Sequence, residues 1–138
     1  MDDFRTELTA VVDEMRAAGI EPTFLVVDLD GIGYVKQARG AESADTFRAS
    51  ATDAIAAAAG GCDTFRYGEE RIVAILPGYT RLKTFALIER LRRALPLLGQ
   101  SFDCPLQVEF DVLEYDEQHG VPALVAQLAA LTRNRDVA

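Results

Sequence analysis

One short apolar run, at residues 23–27, limits most strongly what this chain can fold into. It reads Thr-Phe-Leu-Val-Val, with no alternation between apolar and polar positions. A strand with one face in water alternates with a period of two, whereas a continuous run of β-branched and apolar residues is typical of a central strand covered on one or both faces. The sequence therefore predicts a sheet that has this strand in its interior and helices packed against it.

The rest of the chain supplies the elements that such a sheet needs. Capping residues, breakers and periodicity predict helices at residues 3–18, 43–59 and 80–96 and from Pro122 onward, with residues 32–40 as a connecting segment. Further strands are predicted at residues 64–67, 71–77 and 106–112. The strands on either side of the charged turn at residues 68–70 predict a hairpin, which makes the sheet at least partly antiparallel. The order of elements predicts an α/β fold of the α+β sandwich type.

Length and charge narrow the class of protein. The 138 residues carry 22 acidic and 14 basic side chains, a formal net charge of −8. That size suits one self-sufficient domain, and the acidic balance argues against a nucleic-acid partner, because phosphate binding needs a basic excess. The N-terminus lacks a signal-peptide pattern, and no apolar run approaches the roughly 20 residues that span a bilayer. We therefore expect a cytoplasmic protein that neither binds nucleic acid nor inserts into a membrane.

Acidic residues cluster near the end of the central strand. Asp28 and Asp30 follow the apolar run, Glu69 and Glu70 occupy the hairpin turn, and Asp45 lies near the start of a helix. In a ferredoxin-like sheet the first strand lies beside the hairpin, so Asp28 and Glu70 could face each other and hold Mg²⁺ with a nucleoside triphosphate. The same residues also suit an ordinary turn, a solvated hairpin tip and a helix start, and the residues alone favour this structural explanation.

Several segments between residues 25 and 95 match the pattern of a known family. Residues 26–30 read Val-Val-Asp-Leu-Asp and are followed at the family's spacing by Gly40 and Asp45, then by residues 65–77 and 87–95. These segments resemble the GGDEF domain of bacterial diguanylate cyclases, enzymes that join two GTP molecules into cyclic di-GMP. The resemblance implies a nucleotidyl-cyclase-like fold with a ferredoxin-like, mostly antiparallel central sheet flanked by helices. It also implies that residues 1–138 form a single degenerate GGDEF-like domain, with residues 1–20 as a leading helix.

The resemblance implies roles for residues that keep the family's chemistry. Asp28 and Glu70 stand at its two metal-binding acids, and Leu29 stands where a backbone carbonyl joins the metal site. Asp45 stands at the position that contacts the guanine base. The resemblance thus implies a vestigial nucleotide site formed by Asp28, Asp45, Gly68, Glu69 and Glu70. Mg²⁺ is expected only if that site is competent, and no other cofactor is expected.

The departures from the motif remove positive charge, and add negative charge, where a nucleotide would bind. Where the family reads Gly-Gly-Asp-Glu-Phe, residues 68–72 read Gly-Glu-Glu-Arg-Ile. Glu69 puts an anion where a glycine admits the nucleotide, and Arg71 inverts a charge beside the metal. Gly33 stands at the position of a phosphate-binding lysine, and the last helix lacks a second such lysine. Because phosphoryl transfer depends on positioning and charge neutralisation, an active cyclase is not expected.

The altered motif leaves three functions to compare. We predict a non-catalytic GGDEF-like protein that acts through protein–protein interaction in bacterial signalling or cell-cycle regulation. The alternative is a guanine-nucleotide sensor that binds GTP or cyclic di-GMP without turnover, and a weakly active diguanylate cyclase ranks third. A salt bridge from Arg71 to Asp28 would close the metal site and favour the first of these functions.

The leading helix is the predicted docking element. Its apolar residues fall at helical spacing: Phe4, Leu8, Val11, Val12 and Met15. Members of the family often pair through the helix ahead of the domain, so this stripe could bind another protein or a second copy of the chain. The same spacing fits equally well with packing against the chain's own sheet, and the sequence leaves both arrangements open.

Overall fold

Within residues 2–104 and 106–137, which the computed structural model describes, five helices and four strands follow one another. They are α1 (Asp2–Ala17), β1 (Pro22–Asp30), α2 (Ile32–Arg39), α3 (Ala41–Ala58), β2 (Asp63–Tyr67), β3 (Arg71–Pro77), α4 (Arg81–Gln100), β4 (Gln107–Glu114) and α5 (Gly120–Val137). Side chains are described for residues 4–104 and 106–131. In this described part of the chain, no helix is both long enough and apolar enough to cross a membrane.

The strands form one antiparallel sheet in the order β2-β3-β1-β4. Strand β1 lies in its interior, with Leu25 opposite Ala74 of β3 and Val112 of β4. Leu25 belongs to a core that includes side chains of α2, α3 and α4, and Val26 belongs to a second core with α1 and α5. Because helices cover both faces of β1, residues 23–27 do not alternate between apolar and polar side chains. The predicted α+β fold with a ferredoxin-like sheet is confirmed.

The apolar stripe of helix α1 packs inside the molecule. Leu8 and Val12 are fully buried in the second core. Phe4, Val11 and Met15 are half-buried against the same cluster. The docking prediction is therefore wrong for Leu8 and Val12, because side chains with 0% exposure offer no surface to a partner. Packing on the chain's own sheet removes this apolar surface from water without any second molecule.

Residues 32–39 form the short helix α2, where the sequence predicts a connecting segment. Ile32 and Val35, three residues apart on the helix, are both buried. Gly31 and Gly40, with φ angles of 122° and 93°, flank the helix in conformations that other residues rarely adopt. Two apolar anchors in eight residues make a periodic pattern too short to recognise from sequence.

Helix α4 continues past Pro96 to Gln100, so the predicted helix end at Pro96 is wrong. A proline in a helix interior removes one backbone hydrogen bond and costs about 3 kcal/mol. Leu95 and Gly99 on either side of it are buried, and Gly99 lies close to Leu106. This packing of the last turn offsets the cost of the proline.

Gly99→Ala is expected to lower the free energy of unfolding by about 1–3 kcal/mol, because the site is already filled. An added Cβ would lie 2.9 Å from both the Cys104 carbonyl oxygen and the Leu106 Cβ. Gly33→Ala is the matched control: a Cβ on this helical residue meets nothing within 4 Å. That variant should gain about 0.4–1 kcal/mol. Urea denaturation measures both changes, and effects of the same sign would contradict the packing argument.

Candidate functional site

The tip of the β2–β3 hairpin lies against the end of β1. The Leu29 N–H donates to the Glu70 carbonyl oxygen at 2.7 Å, and the register places Asp28 opposite Arg71. On its other side Asp28 lies opposite Glu109 of β4. The predicted adjacency of the first strand and the hairpin is thus confirmed, and Asp28, Leu29 and Glu70 lie together.

A buried ion pair occupies the place where the family resemblance puts a metal ion. Arg71 Nη2 lies 3.6 Å from Asp28 Oδ2, and the two side chains are only 12% and 7% exposed. The distance is too long for a good hydrogen bond, so the attraction is mainly electrostatic, and it is strengthened by the low dielectric of the interior. Arg71 Nε is buried and makes no hydrogen bond within the part of the chain that the structure describes. The pair sets a guanidinium beside the carboxylate that a metal ion would need.

Glu70 shares this acidic neighbourhood. Burial raises the pKa of the Glu70 carboxyl above its usual range, and the carboxylates of Asp28 and Asp30 raise it further, while Arg71 acts in the opposite direction. Among the described residues, no three His, Cys, Asp or Glu side chains converge as a metal-binding group. With a guanidinium beside Asp28, this arrangement of donors does not fit Mg²⁺.

Glu70→Gln is expected to raise stability at neutral pH. The pKa of Glu70 is raised in the folded protein, so folding binds this proton more tightly, and stability is lost as pH rises through the raised pKa. Glutamine has no proton to lose, so the gain over the wild type should be larger at about pH 7 than at about pH 4. Urea denaturation at both pH values measures it, with the exposed Glu69→Gln as the control. A larger gain in stability at the acidic pH would contradict the predicted direction of the Glu70 pKa shift.

Arg48 is a central residue of the site that sequence reasoning missed. Its Nε donates to the Glu69 carbonyl oxygen at 3.1 Å, and its Nη1 donates to Asp45 Oδ1 at 2.7 Å. The Arg48 side chain is only 10% exposed, so it ties α3 to the hairpin tip from a buried position. The spacing of Asp45 and Arg48 indicates a pair on one helix. Its contact with the hairpin depends on the tertiary fold and leaves no signal in the sequence.

Glu69 takes part in a further contact across the predicted nucleotide site. Lys36 Nζ lies 3.4 Å from Glu69 Oε1, and both side chains are more than half exposed. An exposed pair of this kind contributes less than about 1 kcal/mol, so it orients the side chains more than it stabilises the fold. Gly68 keeps a positive φ of 70°, which the turn before Glu69 requires.

Comparison with known proteins identifies the architecture. No family model matches the chain, and a search of curated proteins finds no match. The GGDEF domain of DgcB from Caulobacter crescentus, solved in complex with c-di-GMP, aligns with a TM-score of 0.64 and 19% identity, over 95% of this chain and 83% of that one. The chain has the GGDEF fold. The contact between β1 and the hairpin is therefore a contact within a GGDEF fold.

Two other solved structures share the GGDEF fold with this chain. A sensory box/GGDEF family protein from Caulobacter crescentus is 17% identical, with a TM-score of 0.66 over 99% of this chain and 92% of that one. The diguanylate cyclase SiaD from Pseudomonas aeruginosa, in complex with its activator SiaC, is also 17% identical, with a TM-score of 0.70 over 96% of this chain and 55% of that one. Likeness at such identities establishes the fold, and function must be argued from the site.

Proposed function

We propose that this GGDEF-fold protein is non-catalytic and acts through protein–protein contact in the bacterial cytoplasm, in signalling or cell-cycle regulation. The observation that carries the proposal is the buried ion pair in which Arg71 Nη2 lies 3.6 Å from Asp28 Oδ2. A divalent cation at Asp28 would have to displace the guanidinium and leave its charge buried without this carboxylate. Breaking a buried pair in that way is strongly unfavourable.

The side chains around this pair support the same proposal. Proteins recognise a triphosphate through lysine, arginine and backbone N–H groups that are available to its oxygens. Here Lys36, Arg48 and Arg71 each contact a carboxylate of the chain itself. Glu69 adds a further anion where a nucleotide would approach. The site is thus arranged to neutralise its own charges more than to receive phosphate.

The deciding experiment incubates the full chain with GTP and MgCl₂ and separates the nucleotides by anion-exchange chromatography. We expect GTP to be recovered unchanged, while an active GGDEF diguanylate cyclase run in parallel converts it. Any cyclic di-GMP formed by this chain would refute the proposal and favour a weakly active cyclase. Preparing the Glu70→Gln variant in the same way guards against a contaminating enzyme, because contaminant activity would not depend on Glu70.

A second candidate function is a guanine-nucleotide sensor that binds GTP or cyclic di-GMP without turnover. One observation favours it: burial raises the pKa of Glu70 and the carboxylates of Asp28 and Asp30 raise it further, so negative charge accumulates at this point of the fold. Binding would require Arg71 to leave Asp28. Calorimetry with Mg²⁺ and millimolar GTP, and then with cyclic di-GMP, tests this function. Heat that disappears in Glu70→Gln would support the sensor, and no heat with either nucleotide would eliminate it.

Protein contact is a mode of action that this fold can serve. SiaD, whose structure shares the fold, is a cyclase in complex with its activator protein. For this chain we propose a protein partner of another sequence, and a homodimer is the alternative. Light scattering over a range of concentrations separates the two, because a homodimer doubles the mass without any added partner.

A further inference from the structure

Helix α4 concentrates positive charge in an acidic chain. It carries five of the chain's 14 basic side chains and only one of its 22 acidic ones. Arg90 and Arg93 are exposed, and their side chains make no ion pair, hydrogen bond or ring contact with the part of the chain that the structure describes. The other three basic side chains of the helix already have a neighbour: Arg81 pairs with Glu114, Arg92 pairs with Glu89, and Lys83 lies over the ring of Tyr79.

These two arginines belong to an exposed strip along α4, which we call the α4 strip. Its members are Leu82, Ala86, Arg90, Arg93 and Leu97, and all five are exposed. Successive members are three or four residues apart, a spacing that places them on one side of a helix. The buried residues of α4 occupy the opposite side: Thr84, Leu87, Leu91, Leu95 and Gly99. The α4 strip therefore faces away from the sheet.

The α4 strip has the shape and chemistry to receive another helix. From Leu82 to Leu97 it extends over about 22 Å, or roughly four helical turns. A second helix can lie along it, because side chains on every α-helix form ridges at the same spacings of three and four residues. Leu82 is 78% exposed and Leu97 is 62% exposed, so each end of the strip offers apolar contacts. Arg90 and Arg93, which lie between these leucines, favour carboxylates on the facing helix.

Two other occupants fit these charges less well. The α4 strip contains no acidic residue, so the same strip of a second copy would set arginines against arginines near its middle. An anionic membrane would attract the two arginines, but its extended surface would also meet the rest of a chain whose net charge is −8. An acidic helix can contact the strip alone, so it avoids both kinds of repulsion.

We propose that the α4 strip binds an acidic amphipathic helix of a partner protein. This inference rests on the proposed function, action through protein contact, and adds the surface and the class of partner. Apolar side chains of the partner helix contact Leu82 and Leu97, while its Asp or Glu side chains pair with Arg90 and Arg93. The leucines supply apolar burial, and the arginines select an acidic helix over a neutral or basic one.

The probe is a fluorescein-labelled peptide of about 18 residues, long enough to cover the strip as a helix. It carries Leu and Glu on one helical face and Ala and Gln elsewhere. The full chain is titrated into it, and fluorescence anisotropy reports binding. We expect micromolar binding that Arg93→Glu weakens about tenfold or more, because attraction at the middle of the strip becomes repulsion.

Arg5→Glu is the matched control for Arg93→Glu. It makes the same change of charge at an exposed residue of α1, a helix that packs on the other face of the sheet. It should leave peptide binding nearly unchanged, so a loss confined to Arg93→Glu reports on the strip and not on net charge. Both positions are exposed, so neither variant should prevent folding.

Further results decide the inference. A peptide in which Lys replaces every Glu should not bind, and Leu97→Ala should weaken binding of the Glu peptide several-fold. The inference is overturned if the Glu peptide fails to bind at millimolar concentration, if both peptides bind equally, or if Arg93→Glu and Arg5→Glu act alike. Binding to phosphatidylserine vesicles, or a homodimer, that Arg93→Glu abolishes would also overturn it. Cyclic di-GMP synthesis would instead refute the proposed function, whatever the peptide does.

Discussion

Replacing Arg71 by methionine is expected to lower the free energy of unfolding by about 3 kcal/mol, the usual scale for breaking a buried ion pair by removing one partner. Methionine keeps much of the apolar stem and removes the guanidinium, so the buried Asp28 carboxylate loses the cation that lies 3.6 Å away. For a domain of this size the loss corresponds to a melting temperature roughly 10 °C lower. Urea denaturation and thermal melting measure the change.

Arg93→Met is the matched control for this prediction. Arg93 is an exposed residue of α4, so its loss should change stability by less than about 0.5 kcal/mol. A second measurement adds millimolar MgCl₂ to both proteins. If Arg71 occupies the place of a metal ion, Mg²⁺ should raise the melting temperature of Arg71→Met more than that of the wild type. Equal losses in the two arginine variants would contradict the importance of the buried pair.

The end of β1 shows how far a sequence can specify a site. The run at residues 23–27 does not alternate and so predicts an interior strand, and the hairpin is the natural neighbour of that strand. Together they predict that Asp28 meets residues 68–71. The salt bridge from Arg71 to Asp28, named in the sequence analysis as the contact that would favour the non-catalytic function, is present. What the sequence leaves undecided is whether nucleotide still enters, because that depends on the free energy of moving Arg71 and not on its position alone.

Arg48 and helix α2 show where sequence reasoning stops. The Arg48 side chain joins Asp45 to the backbone of Glu69, a residue 21 positions further along the chain. A contact between a side chain and a distant carbonyl oxygen has no counterpart in local spacing, because any residue type can supply a carbonyl. Helix α2 has only two buried anchors, Ile32 and Val35, and its flanking glycines suggest a loop as readily as a helix boundary.

Phe47→Ala is expected to cost about 3–5 kcal/mol, the largest loss among the changes considered, because it opens a cavity in the core between the sheet and the helices α3 and α4. Phe47 is fully buried, and its ring centroid lies 4.9 Å from that of Phe102 in an edge-to-face arrangement. The truncation removes both the buried area and this aromatic contact. The same helix carries Arg48, so a loosened α3 should also weaken the bond from Arg48 to the hairpin tip.

Phe85→Ala removes the same atoms from an exposed position and is the control for Phe47→Ala. Phe85 is 61% exposed, so its truncation should change the free energy of unfolding by less than about 0.5 kcal/mol. Urea denaturation compares the two variants, and amide hydrogen exchange at residues 68–70 reports on the hairpin tip. Faster exchange there in Phe47→Ala, but not in Phe85→Ala, is expected if α3 holds the tip in place through Arg48. Similar stability losses in the two variants would contradict the assignment of Phe47 to the core. Unchanged amide hydrogen exchange at residues 68–70 in Phe47→Ala would mean that the hairpin tip is held mainly by its pairing with β1.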